Sequence, residues 1–175
     1  MSDRQGFALW ITGIPSSGKS TITKLLVRKL DELGIRTVAL ESDVMRTILT
    51  PDAAYTPEER DAFYRSLTLI GELLCGNGVN VIFDATANKR AYRDFARSLI
   101  PRFAEVHVRC PLDVCMKRDP KGIYGRALSG RASTVPGAQA EYEPPLNPEM
   151  AFDGQNPPDR GVDEIVFKLR ELKYI

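Results

Sequence analysis

The stretch GIPSSGKST (residues 13–21) fits the spacing G-x-x-x-x-G-K-[ST]. Two glycines permit a tight backbone path, a lysine reaches phosphate oxygens, and a serine carries a hydroxyl suited to a magnesium ion. Four fixed residue types also meet by accident, so the flanks decide. Upstream, FALWITG (7–13) is a short apolar run that reads as a strand. Downstream, KSTITKLLVRKLDELG (19–34) carries Ile22, Leu25, Leu26, Leu30 and Leu33 at helical spacing and stops at Gly34. Strand, glycine loop and helix in that order is the context of a phosphate-binding loop. A chance Gly/Ser turn before a helix is the alternative.

IRTVALES (35–42) follows as a second strand, and a strand–helix–strand unit of this length crosses over right-handedly into a parallel sheet. In TPEERDAFYRSLTLIGELLCGNG (56–78), Thr56 is placed to cap a helix, with Pro57 at its first position and Glu59 completing a capping box. VNVIFDAT (79–86) reads as a buried strand, and NKRAYRDFARSLIP (88–101) as a helix closed by Pro101. AEVHVRC (104–110) supplies another strand and PLDVCMKRD (111–119) a short helix, while DRGVDEIVFKLRELKYI (159–175) is a final amphipathic helix. No internal repeat is visible. The alternation predicts one α/β domain over residues 1–175, a three-layer α/β/α sandwich with ligands at the carboxyl ends of its strands. Between the short helix and the tail, PKGIYGRALSGRASTVPGAQAEYEPPLNPEM (120–150) is rich in Gly and Pro. Its cations Lys121, Arg126 and Arg131 favour a lid, at about 119–146, over a disordered loop.

The composition narrows the partners. With 24 basic and 23 acidic residues the formal charge is +1, which argues against nucleic-acid or membrane binding by bulk electrostatics. Cys75, Cys110 and Cys115 are an odd number without a C-x-x-C pair, as expected of buried thiols in a reduced, cytoplasmic protein. MSDRQGFALW (1–10) lacks the long apolar run of a leader, and no segment has the length of a membrane span.

The loop reading assigns ATP or GTP to residues 13–21, with contacts from Gly13, Ser16, Ser17, Gly18, Lys19, Ser20 and Thr21. Lys19 reaches the β/γ oxygens and the Ser20 hydroxyl ligates Mg²⁺. Asp43, just past the second strand, is a candidate proton acceptor or Mg²⁺ partner, or else the N-cap of VMRTIL (44–49). Asp84 ends an apolar strand, where a charge is costly unless it is paired or liganded, and so reads as a magnesium-side or substrate residue. Arg90, Arg93 and Arg97 share one helix face, either gripping an anionic substrate or facing solvent. Arg46 and Arg60 are candidates for an anionic acceptor. Arg118, Lys121 and Arg126 are placed to neutralise a moving phosphoryl group as a lid closes. His107, alone in a strand, and Tyr142 read as structural.

GIPSSGKST, RCPLDVCMKRDPKGIYGRA (109–127) and YEPPLNPEM (142–150) together resemble the adenylylsulfate kinase family, whose members phosphorylate the 3′-hydroxyl of adenosine 5′-phosphosulfate with ATP. The resemblance implies a P-loop kinase fold with a five-stranded parallel sheet, usually a homodimer. By it, Asp43 matches the second Asp of the family's D-G-D-N segment, Arg46 the Arg that follows, and Arg60 the Arg of F-S-x-x-D-R. Several positions depart. ESDVMR (41–46) alters Glu41, Ser42 and Val44, and Phe63 stands where the family has Asn. VPGAQ (135–139) puts Val135 in place of an aromatic that stacks on the acceptor's adenine, and ATAN (85–88) puts Thr86 in an F-I-S-P segment. FDATANKRAYR (83–93) is instead similar to a segment of small kinases acting on sugar phosphates and polynucleotide ends. The leading expectation is an ATP- and Mg²⁺-dependent kinase of adenosine phosphosulfate. Other small alcohols or sugar phosphates come second, and a nucleotide switch or polynucleotide-end kinase third.

Overall fold

A computed structural model describes residues 5–132 and 134–175. The first four residues read for a leader, and Ser133 of the lid-like segment, lie outside them. The chain runs β1 (Ala8–Thr12), α1 (Lys19–Glu32), β2 (Thr37–Glu41), α2 (Ser42–Leu49), α3 (Pro57–Gly76), β3 (Asn80–Asp84) and α4 (Arg90–Leu99). It continues through β4 (Phe103–Arg109), α5 (Leu112–Arg118), α6 (Ile123–Leu128), β5 (Met150–Asp153) and α7 (Pro158–Glu171). The five strands pair in parallel in the order β2-β3-β1-β4-β5. No described helix is long and apolar enough to cross a membrane.

β1 is the central strand and is buried on both faces, as its unbroken apolar run requires. Its alternation divides the core. Leu9 and Ile11 join Ile22, Leu26, Val162 and Leu169 beneath α1 and α7. Ala8 and Trp10 join Phe63, Leu67 and Phe83 beneath α3 and α4. Trp10 stacks on Phe83 with centroids 4.5 Å apart and donates its indole N–H to the Ala85 carbonyl at 3.1 Å. Cys75 and Cys115 are buried and Cys110 half-buried, all as free thiols.

Local signals resolve in detail. Thr56 caps α3, its hydroxyl accepting the Glu59 N–H at 3.2 Å, with Pro57 in the first turn. The Glu59 carboxylate does not return to Thr56. It accepts the Ala54 and Tyr55 N–H groups at 2.6 and 3.2 Å, which fastens the loop ahead of the helix. β5 has no counterpart in the sequence reading, where Met150 closes the Pro-rich segment. Its four residues pair with Val106–Arg109 of β4, and this neighbour supplies the order that so short a run cannot.

The arginine face of α4 fits neither an anionic grip nor a solvated face, the two readings its spacing left open. Arg93 is 1% exposed, with Nε 2.6 Å from Glu105 Oε1. Its other nitrogens donate to the Ala87 carbonyl and, at 2.6 Å, to the Glu143 carbonyl. Arg97 pairs bidentately with Glu149 at 2.7 and 2.8 Å, and a Glu149 oxygen accepts the Glu105 N–H at 2.6 Å. Arg90 donates its backbone N–H to Glu143 Oε2 at 2.8 Å and its Nη1 to the Pro144 carbonyl at 3.2 Å. These cations therefore hold residues 143–149 against the sheet and deliver the chain to β5. Burial pushes the Glu105 carboxyl above its usual value, although Arg93 and Arg97 pull the other way.

Two tests follow from the core. Arg93→Met leaves the buried Glu105 carboxylate with only the looser Arg97 contact at 3.7 Å, and should destabilise the protein by about 3 kcal/mol in urea unfolding. Adding Glu105→Leu should restore most of that loss; a single mutant of near-wild-type stability would show the pair to be dispensable. Burial, helped by Arg109 and Arg93, pushes His107 down to about 4. An unfolded histidine titrates near 6.5, so the unfolded state takes the proton first. Stability should be intact above about pH 6.5 and fall as pH drops from there towards 4. His107→Gln should flatten that part of a melting-temperature profile, and an unchanged slope would place the acid sensitivity elsewhere.

Candidate active site

β1 ends at Thr12, and the next residue leaves no room for a side chain. A Cβ on Gly13 would lie 2.5 Å from the Val108 carbonyl oxygen and 2.7 Å from Ser17 Oγ, at a φ of 153°. The loop then passes through left-handed Ser16 and Gly18, and Gly18 begins α1 without a side-chain cap, as an anion-binding helix start allows. Ser17 Oγ is buried without a hydrogen-bond partner. Lys19 folds back into the loop, its Nζ donating to the Gly13 and Ile14 carbonyls at 2.8 and 2.9 Å. Burial lowers its ammonium, with Asp84 and Asp43 opposing the shift. Thr21 is exposed in the first turn.

Asp84 ends β3 beside this lysine and is 5% exposed. Burial raises its carboxyl, against Lys19 and a hydrogen bond from the Ser20 side chain. Ser20, Asp84 and, across the cleft, Asp43 are oxygen donors of the kind a hard Mg²⁺ ion takes. Among the described residues no three His, Cys, Asp or Glu side chains cluster to hold a metal alone. The donor set thus fits an ion that arrives with phosphate oxygens.

Two cavities open over this edge. One of about 370 Å³ is lined by Lys19, Ser20, Glu41, Asp84 and Arg118. A second of about 520 Å³ is lined by Arg46, Tyr55, Arg60, Tyr64, Arg131 and Val135. Asp43, Thr86 and Lys121 line both. Asp43 stands in the first turn of α2, and Lys121 Nζ lies 2.6 Å from its Oδ2. Asp43, Lys121 and Thr86 therefore mark the join of the cavities.

Arg46 is 7% exposed, its guanidinium 3.8 Å from the Phe63 ring centroid and 4.9 Å from that of Tyr55. Nη1 meets Glu59 at 3.4 Å, whereas Nη2 is buried without a partner. Arg60 donates to the Thr134 carbonyl at 2.8 Å and the Tyr55 carbonyl at 3.2 Å, tying together two sides of the second cavity. Arg118 lines the first cavity and donates to the Gly154 carbonyl at 2.8 Å. Arg126, read as a lid cation for the moving phosphoryl group, lines the second cavity, with Nη1 donating to the Lys121 carbonyl at 3.0 Å. Arg90 and Arg93 line neither.

Three contributors escaped the sequence reading. A Cβ on Gly154 would lie 2.1 Å from the Ser17 carbonyl oxygen, so the turn after β5 forms a wall of the phosphate loop. Its signal was lost with β5. Tyr124, 1% exposed, donates its hydroxyl to the Pro15 carbonyl at 2.9 Å and pins α6 to the loop. A lone aromatic in a Gly-rich segment was the available clue. Thr12 Oγ1 donates to the Thr86 carbonyl at 2.6 Å and meets the Tyr142 hydroxyl at 3.1 Å, beneath the same edge.

Comparison with known proteins agrees with this geometry. Residues 5–153 match the model of the family described as adenylylsulphate kinase. An adenylyl-sulfate kinase of Rippkaea orientalis is 39% identical over 173 residues, covering 98% of this chain and 96% of its own. A probable adenylyl-sulfate kinase of Archaeoglobus fulgidus is 41% identical over 147 residues, covering 84% of this chain and 95% of its own. Among solved structures, a Mycobacterium tuberculosis APS kinase in complex with AMPPNP and APS superposes with a TM-score of 0.90 at 31% identity, over 95% of this chain and 98% of that one. A gluconokinase from Sinorhizobium meliloti, 21% identical with a TM-score of 0.61 over 97% of this chain and 94% of that one, shares the fold. With its phosphate loop, paired cavities and parallel sheet, the chain belongs to the adenylylsulfate kinase family of P-loop kinases.

Proposed function

We propose that the protein transfers the γ-phosphoryl group of ATP to the 3′-hydroxyl of adenosine 5′-phosphosulfate (APS). The observation that carries this reading is the join between the cavities. A carboxylate, Asp43, and an ammonium, Lys121, stand where a triphosphate from one side would meet an alcohol from the other. Backbone N–H groups of residues 14–20, Pro15 excepted, would surround the phosphates. Lys19 turns from its two carbonyls towards phosphate oxygens, which supply the counter-charge its burial lacks. Mg²⁺, when bound, neutralises charge on the transferring phosphates, and Ser20 with Asp84 would hold it.

Asp43 accepts the proton of the attacking hydroxyl. The hydrogen bond that Lys121 donates to Asp43 raises its ammonium above the usual value, so Lys121 remains charged to meet the moving group. Arg118 adds positive charge on the nucleotide side. On the acceptor side Arg46, Arg60 and Arg131 match an anionic substrate, and the Tyr55 ring offers its base an apolar wall. Residues 119–146 act as the lid that excludes water from transfer.

ADP release with Mg·ATP tests the assignment when APS is compared with sugar phosphates, nucleosides, polyols and 5′-hydroxyl oligonucleotides. Rapid turnover is expected with APS. Asp43→Asn should lower kcat by about 10²- to 10⁴-fold with ATP binding retained. Silence with APS and turnover on another alcohol would reassign the acceptor, and normal turnover by the mutant would leave Asp43 a helix-start residue only.

A further inference from the structure

Lys121 stands at the join of the cavities on a side chain more than half exposed, and so does its partner Asp43. An exposed ion pair is too weak to fix a four-carbon stem, so the backbone beneath Lys121 must be held by something else. The turn 119–122 closes with the Gly122 N–H on the Asp119 carbonyl at 3.0 Å. The Asp119 side chain then binds the chain beyond it. Oδ1 accepts the Ile123 N–H at 2.7 Å and Oδ2 the Gly125 N–H at 2.9 Å. Those donors begin α6 and have no partner within the helix. Burial alone would raise the Asp119 carboxyl, but hydrogen bonds from Gly125, Tyr124 and Ile123 outweigh it and hold the group below its usual value.

Two further tethers complete the frame. Arg126 Nη1 bonds the Lys121 carbonyl, and the Tyr124 hydroxyl bonds Pro15 in the phosphate loop. Lys121 is thus the free arm of a turn clamped at both ends, with the clamp on its N-terminal side formed by one carboxylate. We propose that Asp119 is a positioning residue for phosphoryl transfer, fixing the 119–122 turn so that the Lys121 ammonium stands at the join of the cavities. The assignment rests on the reading of Lys121 as the cation that meets the moving phosphoryl group. Asp119 itself touches no substrate. It makes Lys121 a pre-set contact rather than one found anew in each turnover, which is where misplacement is most costly.

A double-mutant cycle on the full chain, turning over Mg·ATP and APS, tests this. Asp119→Ala should lower kcat by about tenfold or more in the wild-type background, but by less than about twofold in the Lys121→Met background. Asp119→Asn, which keeps one acceptor oxygen, should recover part of the loss, and thermal melts of all variants should show the fold intact. Equal fold losses in both backgrounds would overturn the proposal, because Asp119 would then act independently of Lys121. Wild-type kcat in Asp119→Ala would overturn it too. Wild-type kcat in Lys121→Met would instead remove the Lys121 reading beneath it, an outcome distinct from both.

Discussion

The site depends on one steric constraint, the near-contact of three backbone segments around the phosphate loop. The loop lies against the Val108 carbonyl on one side and the turn at Gly154 on another, both too close for a Cβ. Gly154 also donates its N–H to the Arg109 carbonyl at 2.7 Å, so the ends of β4 and β5 form one wall. The loop can stand only where those strands put it. β5 in turn follows directly on Glu149, which Arg97 and the Glu105 N–H hold. A partly buried ion network on the α4 side therefore sets the place of a glycine that packs against the loop. Mechanical continuity of this kind needs no conformational change, only a close-packed interior that does not yield.

Electrostatics complete what packing begins. A buried ammonium next to a buried carboxylate would be expensive if each were alone, and Lys19 and Asp84 offset one another's burial in part. The two Lys19 hydrogen bonds go to neutral carbonyls, which satisfy its donors without matching its charge. An arriving phosphate supplies both. Donors placed before the charge they serve arrives are what electrostatic preorganisation requires.

What was legible in the sequence follows the range of the forces involved. The strand–loop–helix unit rests on contacts within about twenty residues, and its periodicity and glycines announced it. The three arginines of α4 were legible as one face, but their partners were not. Glu105 lies 12 residues from Arg93, and Glu149 lies 52 from Arg97, so no local pattern distinguishes a buried tether from a substrate grip. β5 failed for a different reason. Four residues after a Pro-rich stretch show no period, and their strand state is conferred by β4. Asp43 and Lys121, 78 residues apart, were each legible as candidates, yet their meeting belongs to the folded chain alone.

The departures at the second cavity are best understood as an exchange of supports. Phe63 stands where the resemblance calls for a side chain that could hydrogen-bond, and its ring centroid lies 3.8 Å from the Arg46 guanidinium. Arg46 is thereby held by a π face, which takes up its charge without consuming its N–H donors. Val135, where an aromatic is expected, is 6% exposed and packs with Tyr124 and Cys115 instead of presenting a face. Tyr55, 41% exposed, stands on that cavity's wall beside the buried Tyr64, and two guanidiniums lie within 5.3 Å of its centroid. Positive charge and an open aromatic face thus both stand on that cavity's wall. Charge and apolar surface can be supplied by different residues, and these two quantities bear more on which class of ligand a cavity accepts than on how tightly it binds.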